Sequence, residues 1–180
     1  EMEEQNTQVF MNLSADSFVT LGTSFSHFVY ELSLENLDTQ VLKELNQTFA
    51  AAQDPAQTDP MAQLTELQAL LPRFVEKNPL LKINKFGVTT EQGDINSNWQ
   101  LSIDKALFDP QQPQSLYTSL NGSGNATAPD AFFAAMGLAP MVDALVEQKF
   151  LRREEQNLEI DFIYTKGQAS LNGSPVPLGF

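Results

Sequence analysis

Several stretches of this chain alternate apolar and polar residues with a period of two, and others repeat apolar residues every three or four. Phe28, Tyr30, Leu32 and Leu34 alternate with Val29, Glu31, Ser33 and Glu35, as a half-buried strand requires. Upstream, Val19, Leu21, Phe25 and Val29 fall on the opposite parity, so both faces carry apolar residues and Gly22 is read as a bulge. A shorter strand is expected around Val9 to Leu13. Asp38 then has the chemistry of a helix N-cap, because its carboxylate accepts the free N–H groups of a first turn. Val41, Leu42, Leu45 and Phe49 follow at helical spacing. Gln53 to Asp59 reads as a loop, and Asp59-Pro60 as the start of a second helix. Its stripe is Met61, Leu64, Leu67, Leu70 and Leu71, with a kink or restart expected at Pro72 and an end at Asn78-Pro79.

A hairpin comes next. Leu81, Ile83, Phe86 and Val88 lie in a strand whose parity changes near Asn84. A turn at Glu91 to Asp94 leads to Ile95, Ser97, Trp99, Leu101 and Ile103, which alternate with Asn96, Asn98, Gln100 and Ser102. From Asp109 to Asp130 the chain is rich in Gln, Pro, Gly and Asn and is expected to be irregular, apart from a short strand at Leu116 to Leu120. Helices are expected from Pro129 (ended by Gly137) and from Pro140, the latter aligning Met141, Leu145 and Phe150. The tail reads as a meander. Leu158, Ile160, Phe162 and Tyr164 alternate with Glu159, Asp161 and Thr165, then turns fall at Lys166-Gly167 and Asn172-Gly173. Together these predict an α+β fold, a curved antiparallel sheet of five to seven strands with helices packed mainly on one face.

Composition narrows the function. The 180 residues suit a single domain, and the first residue, Glu1, reads as an N-terminus that is either processed or an excision boundary. Ten Lys and Arg against 23 Asp and Glu give a net charge of −13, which disfavours nucleic acid and anionic head groups as partners. Arg152 and Arg153 form the one adjacent basic pair, and Glu154 and Glu155 follow to neutralise it. There is no cysteine, so thiol catalysis, thiolate metal sites and disulfides are excluded.

The remaining chemistry is thin. His27 is the single histidine and sits within a strand pattern, a poor place for a general base. Ser123 between Gly122 and Gly124 lacks the spacing of a nucleophile elbow. Asp94, Asn96 and Asn98 imitate the start of a calcium loop, but Trp99 and Lys105 stand where it needs Gly and Glu. Glu159 and Asp161, two apart on one strand face, read either as solvated carboxylates of a wet strand face or as a pair close enough to share a proton or a cation. Five glycosylation-type sequons, at Asn12, Asn46, Asn121, Asn125 and Asn172, are what chance provides in a chain this rich in Asn, Ser and Thr. No phosphate-cradling glycine motif occurs, and no cofactor or metal is expected. Trp99, Leu101, Phe162 and Tyr164 occupy apolar strand faces, where they either pack beneath helices or line an apolar groove.

The order of short patterns resembles a known family. A strand ending Leu34-Glu35-Asn36-Leu37-Asp38 runs into a helix, followed by Leu70-Leu71-Pro72, Asn78-Pro79 with Leu81-Lys82-Ile83, and the Gly93-Asp94 turn. Phe162-Ile163-Tyr164, Lys166-Gly167 and Leu171-Asn172-Gly173-Ser174-Pro175 close it. From about Leu32 to Leu178 the chain is similar to the C-terminal part of the YdgA-like family, the bacterial domain of unknown function 945. Leu171 and Ser174 depart from the family's usual residues flanking Asn-Gly, Val or Thr before and Lys after. The resemblance implies a Gram-negative envelope protein with a membrane anchor upstream and a periplasmic remainder, and it transfers no catalytic residue. The expectation is a non-enzymatic envelope module that binds an apolar or lipid ligand. The alternative is a protein-protein or self-association module acting through a sheet edge, as a homo-oligomer or with an envelope partner.

Overall fold

The computed structural model describes residues 6–20, 22–52, 60–112 and 114–177. The chain begins with two long strands, β1 (Asn6–Thr20) and β2 (Thr23–Asp38), followed by helices α1 (Thr39–Ala52) and α2 (Pro60–Glu76). Next come β3 (Leu80–Thr90), β4 (Gly93–Ile103), the one-turn helix α3 (Ser115–Ser119) and β5 (Leu120–Pro129). Helices α4 (Asp130–Ala135) and α5 (Ala139–Glu147) precede β6 (Arg152–Glu154), β7 (Asn157–Thr165), β8 (Gln168–Leu171) and β9 (Ser174–Val176). Among the described residues the nine strands form one open antiparallel sheet in the order β1-β2-β3-β4-β5-β7-β8-β9. The short β6 pairs with the start of β7, on the side where β8 pairs with its end.

The pairing register sorts the sheet into two chemical faces. One row across it runs Met11, Leu32, Ile83, Trp99, Gly124, Phe162 and Leu171, each residue paired with the next. The adjacent row on that face is Val9, Leu34, Leu81, Leu101, Gly122, Tyr164, Ala169 and Val176. Between them, pointing to the other face, lie Ser33, Lys82, Gln100 and Ser123. Side chains alternate strictly along a strand, so a one-residue slip anywhere would mix the two faces. Bulges preserve the sorting where sequence parity fails. The register shifts beside His27 and Asn36, both at positive φ (52° and 59°), and again between Ile83 and Phe86.

Several expectations change. The sheet has nine strands rather than five to seven, and β1 spans 15 residues rather than Val9 to Leu13. Its interspersed Asn, Ser and Asp stay extended because they pair with β2 in one constant register from Thr20↔Thr23 to Val9↔Leu34. Gly22 (φ 79°) belongs to that turn and not to a bulge. Leu116 to Ser119 is helix, and the supposedly irregular stretch after it is the interior strand β5. Pro129 ends β5 and stands before the helix, which begins at Asp130. The loop expected over Gln53 to Asp59, and the positions of Leu21 and of the side chains of Phe49 and Leu64, lie outside the described residues.

The helices follow their sequence signals closely. Asp38 Oδ1 accepts hydrogen bonds from the backbone N–H groups of Gln40 (2.8 Å) and Val41 (3.0 Å) and so caps α1. α2 carries Pro72 within one continuous span, and α1 and α2 pack on each other and against β2. Leu37, Val41 and Val75 are buried in this part of the molecule. After α4, Gly137 (φ 76°) bonds back to Ala134, and Leu138 N–H to Phe133 C=O, the paired bonds that close a helix over a left-handed residue. α4 and α5 pack on the apolar face over β5 and β7, where Ala128, Val142 and Leu158 are buried.

Candidate functional site

The apolar face is roofed by α4 and α5 at one end and exposes Leu81 and Leu101 farther along. Beneath α4 and α5 lies a cavity of about 290 Å³, floored by Ile95, Ala126, Ala128, Leu158 and Ile160 and covered by Phe133, Val142 and Leu145. This is near the lower end of the ~300–1,000 Å³ usual for small-molecule sites. Met141 stands exposed among the lining residues. Small side chains create the space, since Ala126 pairs with Ser97 on β4 and with Ile160 on β7, and Ala128 pairs with Leu158 on β7. A cavity lined by hydrocarbon offers a water molecule no partners, so an apolar occupant is favoured there.

The four groove residues expected from sequence occupy the same face, farther along the same strands. Trp99 and Phe162 flank Gly124, with ring centroids 5.6 Å apart and planes inclined at 47°. Leu101 and Tyr164 flank Gly122 in the next row. Leu101 is 41% exposed, and Leu81 beside it is 36% exposed, so this part of the face is open to solvent. The Tyr164 hydroxyl donates to the backbone oxygen of Tyr117 (2.9 Å), which ties α3 over the end of β7. None of the four lines the cavity under α4 and α5. Gly122 and Gly124 are the residues that sequence reasoning misjudged. Their role is to let large neighbours lie flat, because a Cβ on Gly124 would overlap the Trp99 indole, 2.6 Å from its Cδ2 and closer still to Cε3.

Other candidates resolve into structural contacts. Ser123 lies on the polar face and its hydroxyl accepts from the Gln100 amide (2.9 Å). His27 is on β2, three strands away, which is roughly 14 Å across the sheet at ~4.8 Å per step, and it is displaced along β2 by six residues from Ser33, the residue level with Ser123. That distance is far beyond proton-transfer reach. Asn98 and Asn125 exchange amide hydrogen bonds, and Asp94 accepts from Thr89, so two members of the calcium-like triplet are engaged by neighbouring strands. Among the described residues no three His, Asp or Glu side chains converge as metal ligands.

The arginine pair does more than neutralise its own neighbours. Arg152 reaches Glu154 (2.8 Å), Glu159 (2.6 Å) and Asp161 (3.6 Å), and so places a permanent cation beside the two carboxylates read as a proton-sharing pair. Its guanidinium is held above its ordinary pKa, first by the hydrogen bond to Glu159. Arg153 binds Asp130 (2.7 Å) and Asp143 (2.9 Å) and joins the starting residue of α4 and the middle of α5 to β6. Both contacts hold the cavity roof in place. The doublet and its neighbour Glu154 were visible as a pair beforehand; the contacts to Asp130, Asp143, Glu159 and Asp161 were not.

These features define an α+β protein built on one open antiparallel sheet with a wet face and an apolar face, the latter only partly covered. The chain belongs to the family described as bacterial protein of unknown function (DUF945), whose family model matches residues 1–179. No curated protein and no solved structure matches it. Among the described residues no helix is long and apolar enough to cross a membrane.

Proposed function

We propose that this domain binds a linear hydrocarbon chain, the acyl part of a lipid, along its apolar face, with one end seated under α4 and α5. The observation that carries this reading is the hydrocarbon-lined cavity opening from a face whose Leu81 and Leu101 remain exposed. Burying eight methylenes there is worth about 6 kcal/mol before the cost of ordering the chain. The proposed role is carriage or shielding of the ligand rather than catalysis, in keeping with the separation of Ser123 from His27. The proposed setting is the periplasm or the periplasmic face of the inner membrane, which rests on the family resemblance.

Ala126→Leu tests the reading by filling the cavity from its floor. A fluorescent fatty acid titrated into the 180-residue chain should bind saturably to the parent protein. Binding should weaken at least tenfold in the variant, with the thermal midpoint preserved. Absence of saturable binding by the parent, or equal affinity in a folded Ala126→Leu variant, would refute it.

A further inference from the structure

The two lateral edges of the sheet are built differently. At one side β8 has four residues and β9 three, Pro175 lies within β9, and β6 is a three-residue strand carrying Arg152, Arg153 and Glu154. Short, charged and proline-containing edges are the usual means of stopping further pairing. At the other side β1 presents 15 residues with no proline, no glycine and a single charge, Asp16. Among the described residues its backbone pairs with β2 and with no other strand. Val9, Phe10, Leu13 and Val19 are exposed on it.

We propose that β1 pairs antiparallel with β1 of a second copy of this chain, about a twofold axis. Three observations favour a second copy as the occupant. A head-to-tail arrangement would set 15 residues against the three of β9, so the long edge matches only itself. Full overlap of Asn6–Thr20 with its symmetry mate sets Leu13 opposite Leu13 and Asp16 opposite Phe10, so no like charges meet despite a chain charge of −13. A strand of this length is roughly 50 Å long and a sheet about 10 Å thick. Pairing therefore buries on the order of 1,000 Å² in total, the size at which a specific interface becomes credible. The twofold axis stands perpendicular to the sheet, so the apolar faces of the two copies lie on the same side and adjoin at Met11 and Leu13.

The absence of native cysteine makes a direct test possible. Val9→Cys, Met11→Cys, Leu13→Cys and Ala15→Cys are prepared separately in the 180-residue chain and oxidised at low protein concentration. Directly opposed residues in an antiparallel pair have Cα atoms about 4.5–5.5 Å apart, within disulfide reach. In a twofold pair only the residue on the axis meets its own copy. Disulfide dimer should therefore peak sharply at one position, Leu13→Cys for full overlap, and be absent from Pro175→Cys on the far edge. Light scattering should give the parent a mass twice its 20.0 kDa chain mass. Leu13→Lys and Leu13→Glu should each return to one chain mass while keeping the parent far-UV spectrum, and an equimolar mixture should recover the dimer. A parent that stays monomeric, a flat cross-linking profile, or a dimer indifferent to both Leu13 substitutions would overturn the proposal. Each result would leave β1 to a different occupant, such as a strand from elsewhere in a longer chain.

Discussion

Gly124→Ala is the smallest change that probes how the apolar face is built. Gly124 lies between Trp99 on β4 and Phe162 on β7, and its backbone has no left-handed requirement, so the demand for glycine is purely one of space. An added Cβ would stand 2.6 Å from Trp99 Cδ2 and 2.7 Å from the Asn98 carbonyl oxygen. The indole can tilt, but the carbonyl belongs to the sheet ladder and cannot withdraw without disturbing the register. Overpacking of this kind costs about 1–3 kcal/mol. Replacing a glycine by alanine returns about 0.4–1 kcal/mol through the unfolded chain. The net loss is about 1–2 kcal/mol, which lowers the thermal midpoint by roughly 2–8 °C in a chain of this size.

Gly122→Ala is the control. Its Cβ would meet Phe162 at 3.3 Å, Tyr164 at 3.5 Å and Leu101 at 3.6 Å, near ordinary contact distance, so gain and strain should nearly cancel. Trp99 is the sole tryptophan and reports both stability and local environment. Urea unfolding followed by its fluorescence should show a lower midpoint and altered native emission for Gly124→Ala only. An unchanged midpoint and emission in Gly124→Ala, or equal destabilisation by Gly122→Ala, would refute the reasoning.

Asp38→Ala removes the N-cap of α1 and should cost ~1 kcal/mol, while Asp38→Asn should lose only a fraction of that, as measured by urea midpoints. Leu158→Ala empties a buried position on the cavity floor and should cost about 2–5 kcal/mol in the same assay, more than any single change on the exposed rows. The hydrogen bond from Lys82 lowers the Glu35 pKa below its ordinary 4.5, and the Val41 backbone N–H lowers that of Asp38 below 3.8. Both carboxylates are thus more acidic folded than unfolded, so their contribution is complete above those ordinary values and is lost as pH falls through the lowered ones. Stability should be flat down to the ordinary carboxylate range and then decline. The decline should be shallower in Lys82→Gln, and a parent whose midpoint rose on acidification would contradict the assignment.

Strands with one wet and one apolar face were legible in the sequence, because alternation is a direct print of the two faces. β4 and β7 are of this kind, and the Asp38 cap and the Gly137 stop acted as their chemistry predicts. β5 was missed because Gly122, Gly124, Ala126 and Ala128 carry almost no hydrophobic signal. Their small size answers to Trp99, Phe162 and Ile160 on the neighbouring strands, information that no local window contains. The cavity was hidden for the same reason, since its floor reads as small residues and its roof as two ordinary helix stripes. Trp99, Leu101, Phe162 and Tyr164 were assigned to the correct face, but large residues mark where space is filled and small ones where it is left. β1 was underestimated because its polar residues look unstrand-like until β2 is paired with it.

The strand order has a kinetic consequence. Nearly every described strand pairs with its neighbour in sequence, and five of the links are only two residues long, between β1 and β2, β3 and β4, β6 and β7, β7 and β8, and β8 and β9. Such a sheet behaves as a one-dimensional array in which each element depends mainly on the two beside it. Opening should therefore begin at the margins and proceed inward one strand at a time. Amide exchange should register this as a gradient, fastest in the outward half of β1 and in β9, slowest in β4 and β5. The cavity under α4 and α5 is floored by β4, β5 and β7, close to this slow centre, so the rims can open without disturbing it.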